Sequence, residues 1–328
     1  MEPRWHLLNP GLGGRINIFF AGSGFKYDLA YSVGVRKRLL SWHANSSDEL
    51  EAFEDAQFEG RESFGIVDSG AFTVWNKGGK IDVDEYIDKL IDLLDHFDVA
   101  ANLDVIPGKQ GMAASEYTPA VTEAAAQEGW DNYIRITHRL EEAGIDGTGR
   151  VMPIYHQGEP LRWLKKMVDH GCPYIGISPS NDYHTNQRMH WLDDVFDYLT
   201  SLPTLPKTHG YAVTSPLLMK TYPWFSVDSA SWIHQGGMGV VGTPYGTITL
   251  TDREELMIKP GSWDSATWAP EAKTKVVKYF RSIGLSIDEL RVDYKRRWQA
   301  IARHMLELER NHRYTPKMKE ASLFDLMQ

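Results

Sequence analysis

SFGIVDSG, residues 63–70, is a short apolar run that ends in a carboxylate followed by small residues. A run of this length, bounded by turn-forming residues, has the form of a buried strand. The same form recurs in RINIFFAGSG (15–24), VAANLDVIPG (99–108), GRVMPIYHQG (149–158), PYIGISPS (173–180), THGYAVTS (208–215) and WFSVDSAS (224–231). An eighth run, GMGVVGTPYG (237–246), is weaker because it is rich in glycine. Helical stripes lie between the runs: Ile87, Leu90, Ile91 and Leu94; Leu161, Leu164 and Val168; Leu192, Val195, Phe196 and Leu199. Strands alternating with amphipathic helices imply a parallel sheet with crossover helices. Seven clear strands and one weaker one favour a closed (β/α)8 TIM-like barrel, an α/β fold, over an open sheet. Residues 1–250 would form the barrel core, and 251–328 a basic, helical C-terminal extension packed on it.

The composition agrees with such a domain. With 328 residues, 42% of them hydrophobic and 24% charged, the chain falls outside the disordered and collagen-like classes. No apolar run approaches the ~18 residues of a membrane span, and MEPRWHLLNPGLGG lacks the layout of a signal peptide. The single cysteine, Cys172, cannot form an internal disulfide or a zinc site built on paired cysteines. These features predict a cytoplasmic protein with no membrane partner. The net charge is −9, yet residues 271–320 hold 13 Lys/Arg against 7 Asp/Glu. An acidic body argues against indiscriminate polyanion binding, while the basic stretch allows one local nucleic-acid contact or is simply a solvated helix face.

In a parallel barrel the chemistry gathers at the carboxyl ends of the strands. Those ends carry Asp68, Asp104, His156 with Gln157, Ser178, Thr214 and Asp228. One aspartate there could cap the following helix; three beside small residues predict a shared polar pocket. The chain has no glycine-rich phosphate loop with its lysine and no His-Glu-x-x-His. His184 and His190 lack a third ligand at recognisable spacing, so no metal and no cofactor is expected. Two carboxylates across a pocket suit displacement at a sugar carbon, one attacking and the other managing the leaving group's proton.

The ordered motifs resemble those of the tRNA-guanine transglycosylase superfamily. VDSGAF (67–72) is similar to its Asp-Ser-Gly-Gly-aromatic signature, and NLDV (102–105) stands where the family has its base-reading aspartate. PIYHQGEPLRWL (153–164) resembles the Val-Gln-Gly-Gly strand and its helix, and YIGIS (174–178) the next glycine strand. AVTSP (212–216) and SVDSASW (226–232) resemble the family's Gly-Val-Gly-Thr-Pro and Gly-Val-Asp pair. The chain departs from the pattern at Ala71 and at SASW, and it lacks the zinc-binding cysteines. In these departures it looks like the phage and bacterial branch that places 7-deazaguanines in DNA, where the cytoplasm would be that of the host cell.

The resemblance implies a pentosyltransferase with Asp228 as nucleophile, Asp68 as general acid/base and Asp104 reading the guanine N1 and 2-amino edge. It also implies that Gln157 and the backbone at Gly158 and Gly176 read the O6 side, with Ser178 alongside and Phe72 and Tyr211 sandwiching the base. DNA and a free 7-deazaguanine base would be the partners, with tRNA as the alternative polymer. A zinc-free tRNA enzyme, a retaining glycoside hydrolase using the same aspartates, and a catalytically dead nucleic-acid binder are the competing readings. Phe72 and Tyr211 could equally be core residues, and Gln157 a helix cap.

The last helix is expected to begin at the capping box Ser286-Ile-Asp-Glu289 and to run on through Tyr294, Trp298, Ile301, Met305 and Leu308. Arg296, Arg303 and Arg310 would then form a phosphate track along its outer side.

Overall fold

The computed structural model describes residues 3–8, 15–22, 31–43, 47–58, 63–108, 111–213, 215–251, 262–264 and 268–314. Thr214 and the 250/251 boundary's distal side, residues 252–261, lie outside them. Nine parallel strands form a nearly closed barrel: β1 (Asn17–Ala21), β2 (Lys37–Ser41), β3 (Phe64–Asp68), β4 (Val99–Ala101), β5 (Val151–Met152), β6 (Ile154–His156), β7 (Tyr174–Ser178), β8 (Lys207–Gly210) and β9 (Ser226–Ser229). Hydrogen bonds run in the order β5-β4-β3-β2-β1-β9-β8-β7-β6. β5 and β6 are two pieces of one stave interrupted at Pro153, which has no amide hydrogen to donate. Its carbonyl still accepts from Gly176 N–H at 2.8 Å, so the seam holds there. The architecture is an α/β TIM-like barrel.

Two expectations need correction. The eighth stave is β2, VRKRLLS, and not 237–246; the latter forms an antiparallel hairpin, β10 (Val240–Thr243) with β11 (Gly246–Thr249), outside the barrel. Charges at Lys37 and Arg38 disguise β2 in the sequence, but both are accommodated. Arg38 is buried and donates to Phe20 O at 3.2 Å, and Lys37 Nζ meets Glu309 Oε1 at 2.7 Å. The expected single C-terminal helix is broken in two. A short helix follows the Ser286–Glu289 capping box, and Asp293 starts the next by accepting from Lys295 N. The apolar spacing runs on across this break, which is why periodicity alone misses it.

The outer layer follows from amphipathic helices: α1 (Ser47–Phe58), α2 (Ala71–Asn76), α3 (Val83–Leu93), α4 (Pro119–Glu142), α5 (Leu161–Asp169), α6 (Thr185–Thr200), α7 (Pro216–Thr221), α8 (Ser231–Gly237), α9 (Pro270–Ser282), α10 (Ile287–Val292) and α11 (Tyr294–Asn311). In α3, for instance, Tyr86, Ile87 and Leu90 are buried, and Asp82 caps the first turn. Apolar side chains facing outward from the strands pack on these helices, while Phe19, Leu39, Phe64, Ile66, Val99, Met152 and Tyr174 fill the barrel interior. α11 belongs to this layer. Its buried Ala300, Ile301, Ala302 and Met305 face inward, and Glu309 reaches the amino ends of β1 and β2. None of the described helices is long and apolar enough to cross a membrane.

The amino end of the barrel is closed by a single 3-10 turn, Trp5–Leu7. Trp5 packs against Phe64, Tyr174 and Phe225 at the starts of three staves. Beside it Arg4 grips Asp98 through two side-chain hydrogen bonds of 2.8 and 2.7 Å. The opposite end stays polar.

Candidate functional site at the carboxyl end of the barrel

Asp68 ends β3, Asp104 follows β4, and Asp228 sits near the end of β9. The barrel brings all three to one mouth, close enough for Asp104 and Asp228 to act on the Asp68 charge. Burial, reinforced by those two carboxylates, pushes Asp68 up to about 7 against the pull of the Gly70 N–H. That amide reaches Asp68 Oδ2 at 3.0 Å, and Gly70 can turn there because it adopts φ +79. A carboxyl with this titration holds or releases a proton near neutrality, as a general acid/base must.

Asp228 is held differently. Its Oδ1 accepts from Ala212 N–H at 3.0 Å and lies 3.3 Å from His209 Nε2. Ala212 has φ +53, a left-handed conformation that costs a residue with a Cβ of order 1–2 kcal/mol. The strain is tied to the contact that orients the carboxylate. Behind it, His209 Nδ1 lies 2.6 Å from Ser226 Oγ, which in turn is hydrogen-bonded to Tyr174 Oη. One assignment satisfies every group: Tyr174 donates to Ser226, Ser226 to Nδ1, and the Nε2 hydrogen to Asp228. His209 is completely buried. Sequence reading passed over it, because a single histidine inside a strand has no local pattern.

Asp104 faces His156, whose Nε2 lies 2.9 Å from Oδ2. Burial alone would lower the imidazole, but the contact with Asp104 and the charge of Glu159 outweigh it and raise its pKa. Glu159 is buried, and desolvation pushes it up to about 7 despite His156. Together with Asn102, Trp130 and Tyr133 these groups line a cavity between the barrel wall and helices α4 and α5, directly behind Asp104. Among the described residues no three His, Cys, Asp or Glu side chains converge as a metal site requires.

The remaining expected residues divide. Tyr211 lies at the mouth, its ring edge-on to His209 at 4.8 Å and against Gly176, where a Cβ would come within 2.7 Å of Tyr211 Cε2. Phe72 is on the first turn of α2, 61% exposed and stacked on Trp75. Gln157 braces the loop after β7 against the first turn of α6: its Oε1 accepts from Ser180 N–H at 3.1 Å and its Nε2 points to Gln187 O. The backbone N–H groups of Gln157 and Gly176 are also engaged, with Ser178 O and Pro153 O. Gly158 turns the loop at φ +105, and Ser178 ends β7 beside it.

Along α11, Arg296 and Arg310 are exposed, whereas Arg303 is half-buried and donates to Ile283 O at 2.7 Å. Arg297 is buried, donating to Gly236 O and Leu290 O at the ends of α8 and α10.

Set against known proteins, the chain matches no family model, and no curated protein matches it.

Proposed function

We propose that this protein is a base-exchanging transglycosylase that replaces guanine in DNA with a 7-deazaguanine through a covalent aspartyl-glycosyl intermediate. The observation that carries the reading is the contrast between two carboxylates at one mouth. Asp68 titrates near 7, while Asp228 is clamped by an amide and an imidazole. The proton-holding carboxyl suits acid/base work, and the clamped one suits attack.

Asp228 attacks C1′ of the target nucleotide as the bond to the base breaks, and Asp68 gives its proton to the departing guanine. Asp68 then takes the proton of the incoming base, whose nitrogen attacks C1′ and frees Asp228. Asp104, a carboxylate acceptor, suits the two adjacent donors of the guanine edge. The target nucleotide must leave the base stack to enter such a mouth. DNA is favoured as the polymer by the ordered motif resemblance together with the missing cysteines.

The test supplies labelled guanine with DNA and with tRNA in parallel and traps the covalent adduct on denaturing gels. Label should enter DNA, and the adduct should vanish in Asp228→Ala. Label in tRNA alone would overturn the choice of DNA, and an undiminished adduct in Asp228→Ala would sink the nucleophile.

A further inference from the structure

We infer that the Tyr211 hydroxyl donates to the carbonyl oxygen of the bound base, making this residue a specificity determinant in place of a stacking surface. The inference rests on the guanine pocket proposed above. The Tyr211 hydroxyl oxygen is buried and has no hydrogen-bond partner among the described residues. Leaving a buried polar group unpaired is costly, so such a group marks a place where a partner arrives.

The ring is fixed. Its backbone N–H bonds to Ile177 O at 3.0 Å, its face has room because residue 176 is glycine, and His209 abuts its edge. The hydroxyl therefore presents one donor at a set position. Burial, and then the charges of Asp68, Asp104 and Asp228, push its ionisation well above the ordinary phenol range. The upward shift keeps the phenol protonated at neutral pH.

The electrostatics of the mouth demand such a group. The guanine edge offers two donors, N1–H and the 2-amino group, beside one carbonyl acceptor. Three carboxylates match the donors but repel the carbonyl. Two of the donors expected from the resemblance are engaged elsewhere: Gly176 N–H with Pro153 O at 2.8 Å, and the Gln157 side chain with Ser180 N–H and Gln187 O. His156 Nε2 is turned to Asp104. The Tyr211 hydroxyl is an unspent neutral donor at the mouth.

The experiment compares wild type with Tyr211→Phe, which keeps the ring and removes only the oxygen. Binding of free guanine and of 6-thioguanine is measured by equilibrium dialysis. The thio base keeps both donors and replaces the carbonyl oxygen with a weakly accepting sulfur. Wild type should hold guanine about 10-fold more tightly than 6-thioguanine, and Tyr211→Phe should bring the two within about 2-fold by weakening guanine alone. The melting temperature of Tyr211→Phe should be no lower than that of wild type, since the lost oxygen has no partner in the free protein. Unchanged guanine affinity, an equal loss for both bases, or a lowered melting temperature would overturn the inference. If wild type forms the Asp228 adduct while Tyr211→Phe keeps the preference for guanine, only the Tyr211 role falls. If wild type binds neither base and forms no adduct, the guanine reading falls with it.

Discussion

The two ends of this barrel handle charge in opposite ways. At the amino end two carboxylates meet full cations: Asp98 is gripped by Arg4, and Glu309 by Lys37. Arg150, buried there, donates to Leu94 O, Phe97 O and Asp98 O. At the carboxyl end Asp68, Asp104 and Asp228 face one another, with two imidazoles and backbone amides as their partners. The floor is neutralised and the mouth is not. Like charges gathered at one place cost stability, and they persist in clefts where their titration is put to use.

The sharpest way to break this contrast is at the mouth. Asp228→Asn leaves size and shape nearly intact but replaces a nucleophile with an amide. We expect exchange to fall by about 10³-fold or more, read as initial rate of guanine incorporation. A variant within tenfold of wild type would place the covalent chemistry elsewhere.

At the floor the effect should be on stability. Glu309→Ala strands the nearly buried Lys37 ammonium and removes the acceptor of Ile18 N–H, held at 2.9 Å. We expect a loss of about 3 kcal/mol in urea unfolding, the scale of breaking a buried pair. Conversion of Glu309 to Gln should recover part of it through the retained acceptor.

Asp68→Asn should lower exchange yet raise stability. The Asp68 carboxyl titrates at 3.8 in an ordinary environment and about 7 in the fold. The folded form thus binds the proton more tightly, and wild-type stability declines as pH rises through that window. The advantage of Asp68→Asn should therefore be absent below pH 4, grow through pH 7 and level off near pH 8 at about 4 kcal/mol, the size of the shift. A variant advantage independent of pH would mean that Asp68 is not the strained group.

The smallest effect concerns the outer face of α11. Arg296 and Arg310 are exposed and Arg303 is tied to Ile283 O. If the helix tracks a phosphate backbone, replacing the two exposed arginines should flatten the salt dependence of DNA binding by up to about 2 units of slope. Replacing Arg303 should instead lower the melting temperature. An unchanged slope in the double variant would leave α11 as a solvated face.

What sequence could and could not disclose follows the same division. Asp68, Asp104 and Asp228 are legible because each ends or follows an apolar run, and the barrel gathers run ends. β2 was hidden because its first residues, Lys37 and Arg38, are charged, and the groups that satisfy them lie on β1 and near the end of α11. His209 escaped for a related reason: its partners Ser226 and Asp228 belong to the neighbouring stave, and pairing between staves is invisible in a linear reading. The engagement of Gly176 N–H was hidden likewise, since only the seam at Pro153 shows which sheet donors remain free. The Asp293 break could have been found, because an aspartate before Tyr294 is an ordinary helix start.

Glu309 also orders events in time. Its hydrogen bond to Ile18 N spans 291 positions, and the β1–β9 pairing joins Asn17 to Ser226. During synthesis β1 must therefore wait, one edge unpaired, until the chain has been made through β9, and longer still for the residue that ties the floor. Contacts of such separation slow folding and prolong exposure of open strand edges. The nascent chain should thus depend most on protection from association late in translation, after the apolar staves exist and before α11 can reach them.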